Sequence, residues 1–175
     1  MATPQTLVHA DSLHERFEAL LQEHRRIVFK VAATYCAHPE DRRDLAQEIS
    51  AQLWRAFPSY DPSRSFSTWM YRVALNVAIS FVRQSGRHRR HTTRLDDEAF
   101  ENVPVDETPV PDERVRLLHQ FIGQLDDLNR ALVLLYLDER SYSDIADVLG
   151  ISETNVATKL NRLKQRMRTT WNSMN

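Results

Sequence analysis

Residues 141–168, SYSDIADVLGISETNVATKLNRLKQRMR, restrict the fold more than any other stretch, because they read as two helices joined by a tight turn. Ser141 suits an N-cap, and Asp144 three residues on completes the pattern that satisfies two orphan amides reciprocally. Ile145, Ala146, Val148 and Leu149 supply a short apolar face. Gly150 then ends the helix, since glycine takes the left-handed conformation at least cost, and Ser152 can cap a second helix almost at once. In that second helix Val156, Leu160, Leu163, Met167 and Trp171 recur at helical spacing, which makes one stripe for a core. Its outer surface carries Lys159, Arg162, Lys164, Arg166 and Arg168 with no acid among them. Thr154, Asn155, Thr158, Asn161 and Gln165 lie beside them and can hydrogen-bond base edges or phosphates. The pattern is that of a helix-turn-helix facing a polyanion. A solvated basic helix closing a bundle is the plainer alternative, but it requires neither the capped short helix nor the glycine turn.

Only 3 glycines and 7 prolines in 175 residues favour a mostly helical chain, and 42% hydrophobic residues are enough to bury a core. The formal net charge of −1 would not point to nucleic acid, yet the charges are segregated. Five arginines and no acids lie between Arg83 and Arg94, whereas eight acids and no Lys or Arg lie between Leu95 and Glu113. A near-neutral total thus hides basic surfaces joined by an acidic strap. Cys36 is alone, which excludes an intrachain disulfide and fits a reducing compartment. Its small apolar neighbours suit a buried thiol rather than a catalytic one. With no apolar run of membrane-spanning length and no secretory signal pattern, the chain is expected to be soluble and intracellular, without membrane insertion.

Taken in order, residues up to about Asp11 are weakly patterned and expected to fray. Phe17, Leu20, Leu21, Ile27, Val28, Val31 and Tyr35 predict one amphipathic helix over 13–35. Pro39 opens a second helix, running to about Phe57, with Leu45, Ile49, Leu53 and Phe57 inside and Asp44, Gln47 and Glu48 on other faces. A Pro/Ser-rich loop, 58–67, follows with Tyr60 in it. A third helix over 68–84 carries a core stripe of Met70, Val73, Ala74, Val77 and Phe81 and ends at Gly86. Its other stripe, Trp69, Arg72, Asn76, Ile79 and Arg83, puts an aromatic, an amide and two arginines on one face, a way single-stranded nucleic acid is held. Trp69 packed in the core with the arginines in solvent is an equally good reading. The basic run beyond is a phosphate-tracking tail, and His88 and His91 within it lack the further ligands a metal would need. The Pro-containing acidic segment reads as a linker, and two more helices, one formed by Val115, Leu118, Phe121, Ile122 and Leu125 and the other over 128–137, pack under the helix-turn-helix.

Two blocks carry a family resemblance. The first, DLAQEISAQLWRAFPSYDPSRSFSTWMYRVALNVAISFVR, includes the Phe-x-x-Trp-x-x-Arg segment at Phe66, Trp69 and Arg72, followed by Asn76; the second is LDDLNRALVLLYLDERSYSDIADVLGISETNVATKLNRLKQRMR. In this order and with a linker between, they resemble the extracytoplasmic-function (ECF) sigma factors of bacterial RNA polymerase over nearly the whole chain. One departure is that Thr154, Asn155, Val156 and Ala157 stand where the family opens its recognition helix with Gly-Thr-Val and a basic residue, so base preference stays open.

The resemblance implies an all-α fold of two small domains. Residues 1–94 would bind polymerase and melt the −10 element, 95–111 would link, and 112–175 would read the −35 element by its helix-turn-helix. It implies that Asp44, Gln47 and Glu48 dock on core RNA polymerase, and that Tyr60, Trp69, Arg72, Asn76 and Arg83 meet −10 DNA. Thr154, Asn155, Thr158, Lys159, Asn161, Arg162 and Arg166 would meet −35 DNA. Core RNA polymerase and promoter DNA are then the partners, with an anti-sigma factor as a further one, and the chain is expected in the cytoplasm. No cofactor, metal or catalytic residue is expected, because no nucleophile, base and orienting group occur together. Nothing patterned follows the helix-turn-helix, so signal sensing is expected to be delegated to another protein. A stand-alone helix-turn-helix regulator is the alternative, against which the Tyr60 loop and the Trp69 face argue.

Overall fold

The computed structural model describes residues 4–92 and 113–172, which are helical apart from their turns. The segment read as a linker, 95–111, lies outside the described residues. Helix α1 spans Pro4–His24, α2 Arg26–Tyr35 and α3 Pro39–Ala56; a 3-10 turn at Phe57–Ser59 and a short loop lead into α4, Phe66–Thr92. After the undescribed segment come α5 Glu113–Gly123, α6 Asp127–Leu137, α7 Tyr142–Leu149 and α8 Glu153–Asn172.

Helices α2, α3 and α4 pack on one another around Val31, Leu45, Ile49, Leu53, Met70 and Ala74, each withdrawn completely from solvent. Burying one such Leu or Ile stabilises by about 1.5–3 kcal/mol, so the stripe of α3 suffices to fix that helix against its neighbours. Pro39 sits in the first turn of α3 ahead of Glu40 and Asp41, where a missing N–H costs nothing and two acids complement the helix dipole.

Four local expectations change. The helix expected over 13–35 is two, since the Val28 N–H turns back to the Arg25 carbonyl at 3.1 Å, an i to i−3 bond that tightens the chain there. The first of these begins at Pro4, inside the segment expected to fray. Gly86 does not end α4, which continues to Thr92; a helical glycine costs only about 1 kcal/mol, and a long helix absorbs that. The core stripe of α4 is also wider than periodicity indicated. Tyr71, Leu75 and Ala78 are buried beside Met70 and Ala74, whereas Val73, Val77 and Phe81 are half-buried. The reason is that α4 is covered on two sides, by α2 and α3 and by α7.

The C-terminal half follows its sequence closely. Asp126 caps α6 by accepting the Asn129 N–H at 2.9 Å, and Ser141 caps α7 by accepting the Asp144 N–H at 3.0 Å. Gly150 takes the left-handed conformation, φ 67°, and Ser152 accepts the Asn155 N–H at 3.2 Å to open α8. Val156, Leu160 and Leu163 bury that helix against α6 and α7. At the end of α6, Glu139 holds φ 57° while its N–H bonds the Tyr136 carbonyl and the Arg140 N–H bonds that of Leu135. This is a Schellman turn with glutamate where glycine is usual.

The two halves touch. Helix α7 packs on α4, and α6 on α2. The Schellman turn projects Asp138 into that junction, where its carboxylate accepts hydrogen bonds from Lys30 and from the Tyr71 hydroxyl, the latter at 2.7 Å. Arg140 donates to Ser67 Oγ at 2.8 Å and lies over the Tyr71 ring. The Tyr35 hydroxyl donates to the Asp127 carbonyl at 2.8 Å. Arg83 donates to the Asp127 carboxylate and Thr68 to that of Asp144, both at 3.3 Å.

Candidate nucleic-acid and polymerase interfaces

The loop before α4 is ordered by its own bonds. Asp61 accepts the Ser63 N–H at 2.9 Å, which with the Ser63 hydroxyl holds its carboxyl below the usual range, and the Arg64 N–H reaches the Asp61 carbonyl. The Tyr60 hydroxyl donates to the Arg64 carbonyl at 2.6 Å. Its ring lies stacked on Phe57 at 5.9 Å, edge-on to Phe66 at 5.3 Å and tilted against Trp69 at 5.1 Å. Each such contact adds about 0.5–1.5 kcal/mol beyond burial, so the four rings form one preorganised cluster. Trp69 thus combines both readings of it: it is half-buried, with one part packed on Phe57 and Phe66 and the rest beside Tyr60 at the surface. Arg72 is exposed one turn further along.

Asn76 is exposed and lines a different groove, between α3 and α4, together with Asp44, Gln47, Glu48, Gln52 and Ser80. At 1.5 Å per residue it stands about 10 Å along α4 from Trp69, and Arg83 about 20 Å from it. The five residues expected at −10 DNA therefore form a track rather than one pocket. Arg64, Ser65 and Thr68 were not singled out in the sequence, yet they line a crevice with Trp69 and Arg72 whose far wall is Asp144 and Asp147 of α7. An arginine in a serine-rich loop before an aromatic helix was the available signal. Glu48 is already engaged, accepting from Gln52 at 3.3 Å with Arg55 3.7 Å away.

A second groove, of about 790 Å³, runs between α2 and α3. Leu21, Val28, Phe29, Ala32, Ala33 and Ala46 line it, with Arg25, Arg42 and Arg43 at its rim. Phe29 is 61% exposed there, a large ring left in solvent on a helix whose other face is core.

On α8, Thr154, Asn155, Thr158, Asn161, Arg162 and Arg166 are exposed and Lys159 is half-buried. Arg162 points into solvent from the middle of the helix, whereas Arg166 lies 5.9 Å over Phe121 and Lys164 4.3 Å over Tyr136. A hydrogen bond with Tyr136 raises the Lys164 pKa further, keeping it cationic. The Thr158 hydroxyl donates to the Thr154 carbonyl at 2.9 Å, within its own helix. The result is a surface with cations at its sides and amides in between, the chemistry that major-groove readout uses. Among the described residues no cluster of three His, Cys, Asp or Glu could hold a metal, and no helix is long and apolar enough to cross a membrane.

Residues 20–88 match the family model for sigma-70 region 2, and residues 116–167 that for sigma-70 region 4. The chain is 31% identical over 134 residues to the ECF RNA polymerase sigma factor SigM of Bacillus subtilis, covering 74% of this chain and 78% of that one. It is 28% identical over 159 residues to the ECF RNA polymerase sigma factor SigE of Mycolicibacterium smegmatis, covering 87% of this chain and 60% of that relative's length. In fold it is similar to the sigma factor RpoE in complex with the anti-sigma factor NepR from Bartonella quintana, with a TM-score of 0.72 at 17% identity, covering 89% of this chain and 96% of that one.

Proposed function

This chain belongs to the extracytoplasmic-function sigma factors, and from that premise we propose that it binds core RNA polymerase, directs it to promoters and helps open them. The observation that carries this is the presence of both sigma-70 regions on one chain, each with an exposed polar helix face suited to nucleic acid. The outer face of α8 reads the −35 element in the major groove. The Tyr60 loop, Trp69, Arg72 and Arg83 hold the unwound −10 strand by stacking and backbone charge, and Asn76 reads a base edge with an amide that both donates and accepts. Extruding that base costs a few kcal/mol, which these contacts offset.

Asp44, Gln47 and Glu48 dock on core polymerase, where two acids beside an amide suit a basic partner surface. The apolar groove with an arginine rim between α2 and α3 takes a helix of an anti-sigma partner, apolar on one face and acidic at its flanks. The chain works in the cytoplasm as a specificity subunit and catalyses no step itself.

Run-off transcription with purified chain, core polymerase and a promoter library tests this reading. The expected result is a transcript from a defined subset of promoters only when both proteins are present. Promoter binding that needs no polymerase, with no stimulated transcript, would instead make the chain a stand-alone regulator. Asn76→Ala, assayed on intact and pre-melted templates with base changes in the −10 element, should lose discrimination on both while core binding is retained. Discrimination left intact would remove Asn76 from the reading role.

A further inference from the structure

Two cations of α8 rest on rings that belong to other helices. Lys164 has its ammonium 4.3 Å from the centre of the Tyr136 ring on α6, and Arg166 its guanidinium 5.9 Å from that of Phe121 on α5. The Tyr136 hydroxyl accepts a hydrogen bond from Lys164, which raises the lysine pKa and keeps the charge in place. Tyr136 is nevertheless 38% exposed, a large ring that the core beneath does not enclose.

These cations stand on opposite flanks of the helix. At about 100° per residue, Lys164 and Arg166 are about 200° apart, and Thr154, Thr158, Asn161, Arg162 and Gln165 fall in the arc between them. The other arc holds Val156, Leu160 and Leu163, which face the core. A helix with its side chains is about 10–12 Å across and the major groove about 12 Å wide. A helix that turns the polar arc to the base edges therefore sets its flanks against the phosphates on either side. A lysine stem free in solvent samples many rotamers and gives them up on meeting a phosphate, whereas a ring under the ammonium has restricted them beforehand. An ammonium has three N–H donors, so one engaged with Tyr136 leaves others for DNA.

We propose that Lys164 contacts a phosphate beside the −35 element and that Tyr136 is its positioning residue, a ring on α6 that holds the ammonium at the edge of the major groove without itself touching DNA. Phe121 serves Arg166 in the same way on the opposite flank. This rests on the proposed function, since it takes the outer face of α8 as the −35 reader. Phosphate contacts fix the register and angle of a helix in the groove, so the seated cations orient α8 while Asn161 and Arg162 meet the base edges.

The test uses holoenzyme assembled from the full-length chain and core polymerase. The probe is a duplex promoter fragment selected by run-off transcription, and its affinity is measured over a series of KCl concentrations. The slope of log affinity against log salt counts the phosphates neutralised, at about 0.9 for each. Lys164→Gln should weaken binding and reduce that slope by about 1. Tyr136→Leu keeps every charge, so it should leave the slope at its wild-type value and weaken binding about two- to fivefold, the weight of an exposed cation–π contact. Tyr136→Phe keeps the ring and should recover most of that loss. In the Lys164→Gln background Tyr136→Leu should have no further effect, because the ring then has no charge to hold. An unchanged slope in Lys164→Gln would overturn the phosphate contact. Wild-type affinity in Tyr136→Leu, an equal loss in Tyr136→Phe, or the same loss from Tyr136→Leu with and without Lys164 would overturn the positioning role. Promoter-specific transcription by the variants in any of those cases would leave the proposed function standing. A wild-type chain that yields no promoter-specific transcript with core polymerase would overturn both.

Discussion

Asp138 shows how one carboxylate can bind two halves of a chain. Burial opposes its ionisation more than any other single influence, but hydrogen bonds from Lys30 and Tyr71, with the charges of Lys30 and Arg140, together outweigh it and lower its pKa. A group whose folded-state pKa is depressed contributes fully above the ordinary aspartate range and loses its contribution as pH falls through the depressed value. Asp126 follows the same rule, held low chiefly by the Asn129 N–H it caps. Thermal stability should therefore fall as pH drops below about 4. Asp138→Asn should flatten that fall only in part, because the Asp126 share remains; an unaltered profile of melting temperature against pH would contradict the assignment. Burial is also the main influence that raises the pKa of Tyr71, with Asp138 adding to it, so the hydroxyl stays protonated and donates. Tyr71→Phe keeps the packing and removes that one hydrogen bond to a charged acceptor. We expect it to cost about 1.5–3 kcal/mol in urea denaturation, and a loss within error would show that the bond adds nothing net.

At the scale of the element, α8 is anchored on one side and free on the other. Leu160 is 1% exposed against α6 and α7, and Leu160→Ala should destabilise the chain by about 2–5 kcal/mol in denaturant titrations. Arg162, a neighbour in sequence on the opposite face, should behave differently. Arg162→Ala is expected to leave the melting temperature unchanged and to weaken promoter binding by about 1–3 kcal/mol, at one base position if it contacts a base edge and for all sequences alike if it contacts phosphate. Unchanged binding would take Arg162 out of the interface. The turn between the helices has its own signature. At Gly150 an added Cβ meets nothing within 4 Å, so Gly150→Ala carries only the cost of φ 67°, about 1–2 kcal/mol, and equilibrium unfolding should register it without loss of helicity.

Over the whole molecule, the faces divide by partner. Asp44 is exposed and Glu48 only partly tied to its own helix, so reversing both charges to lysine should weaken core-polymerase binding while the thermal melt stays close to wild type. Retained affinity in a pull-down titration would show those acids to be an ordinary solvated face. The two halves of the free chain meet partly through charged side chains, Lys30 with Asp138 and Arg83 with Asp127. Interface charges at that contact are partly exposed, so added salt should loosen it and expand the free chain.

The period of apolar residues and the local chemistry of caps determined the elements of this protein. Leu45, Ile49 and Leu53 on α3, and Val156, Leu160 and Leu163 on α8, are buried as their spacing indicates, and Ser141, Gly150 and Ser152 act within a few residues of themselves. Such signals are local, and a linear chain carries them in full. The tertiary structure alone decided what depends on distant segments meeting. Tyr71, Leu75 and Ala78 fit a helical period as well as Val73, Val77 and Phe81 do; α4 buries the first set because it is covered from two sides. Asn76 shares its stripe with Trp69 and Arg72 but stands in a groove with Asp44 and Glu48, since α3 crosses α4 there. Asp138 and Lys30 are 108 residues apart, and no periodicity pairs them. Their contact exists because both halves leave complementary charge beside apolar surface, which only the folded chain brings together.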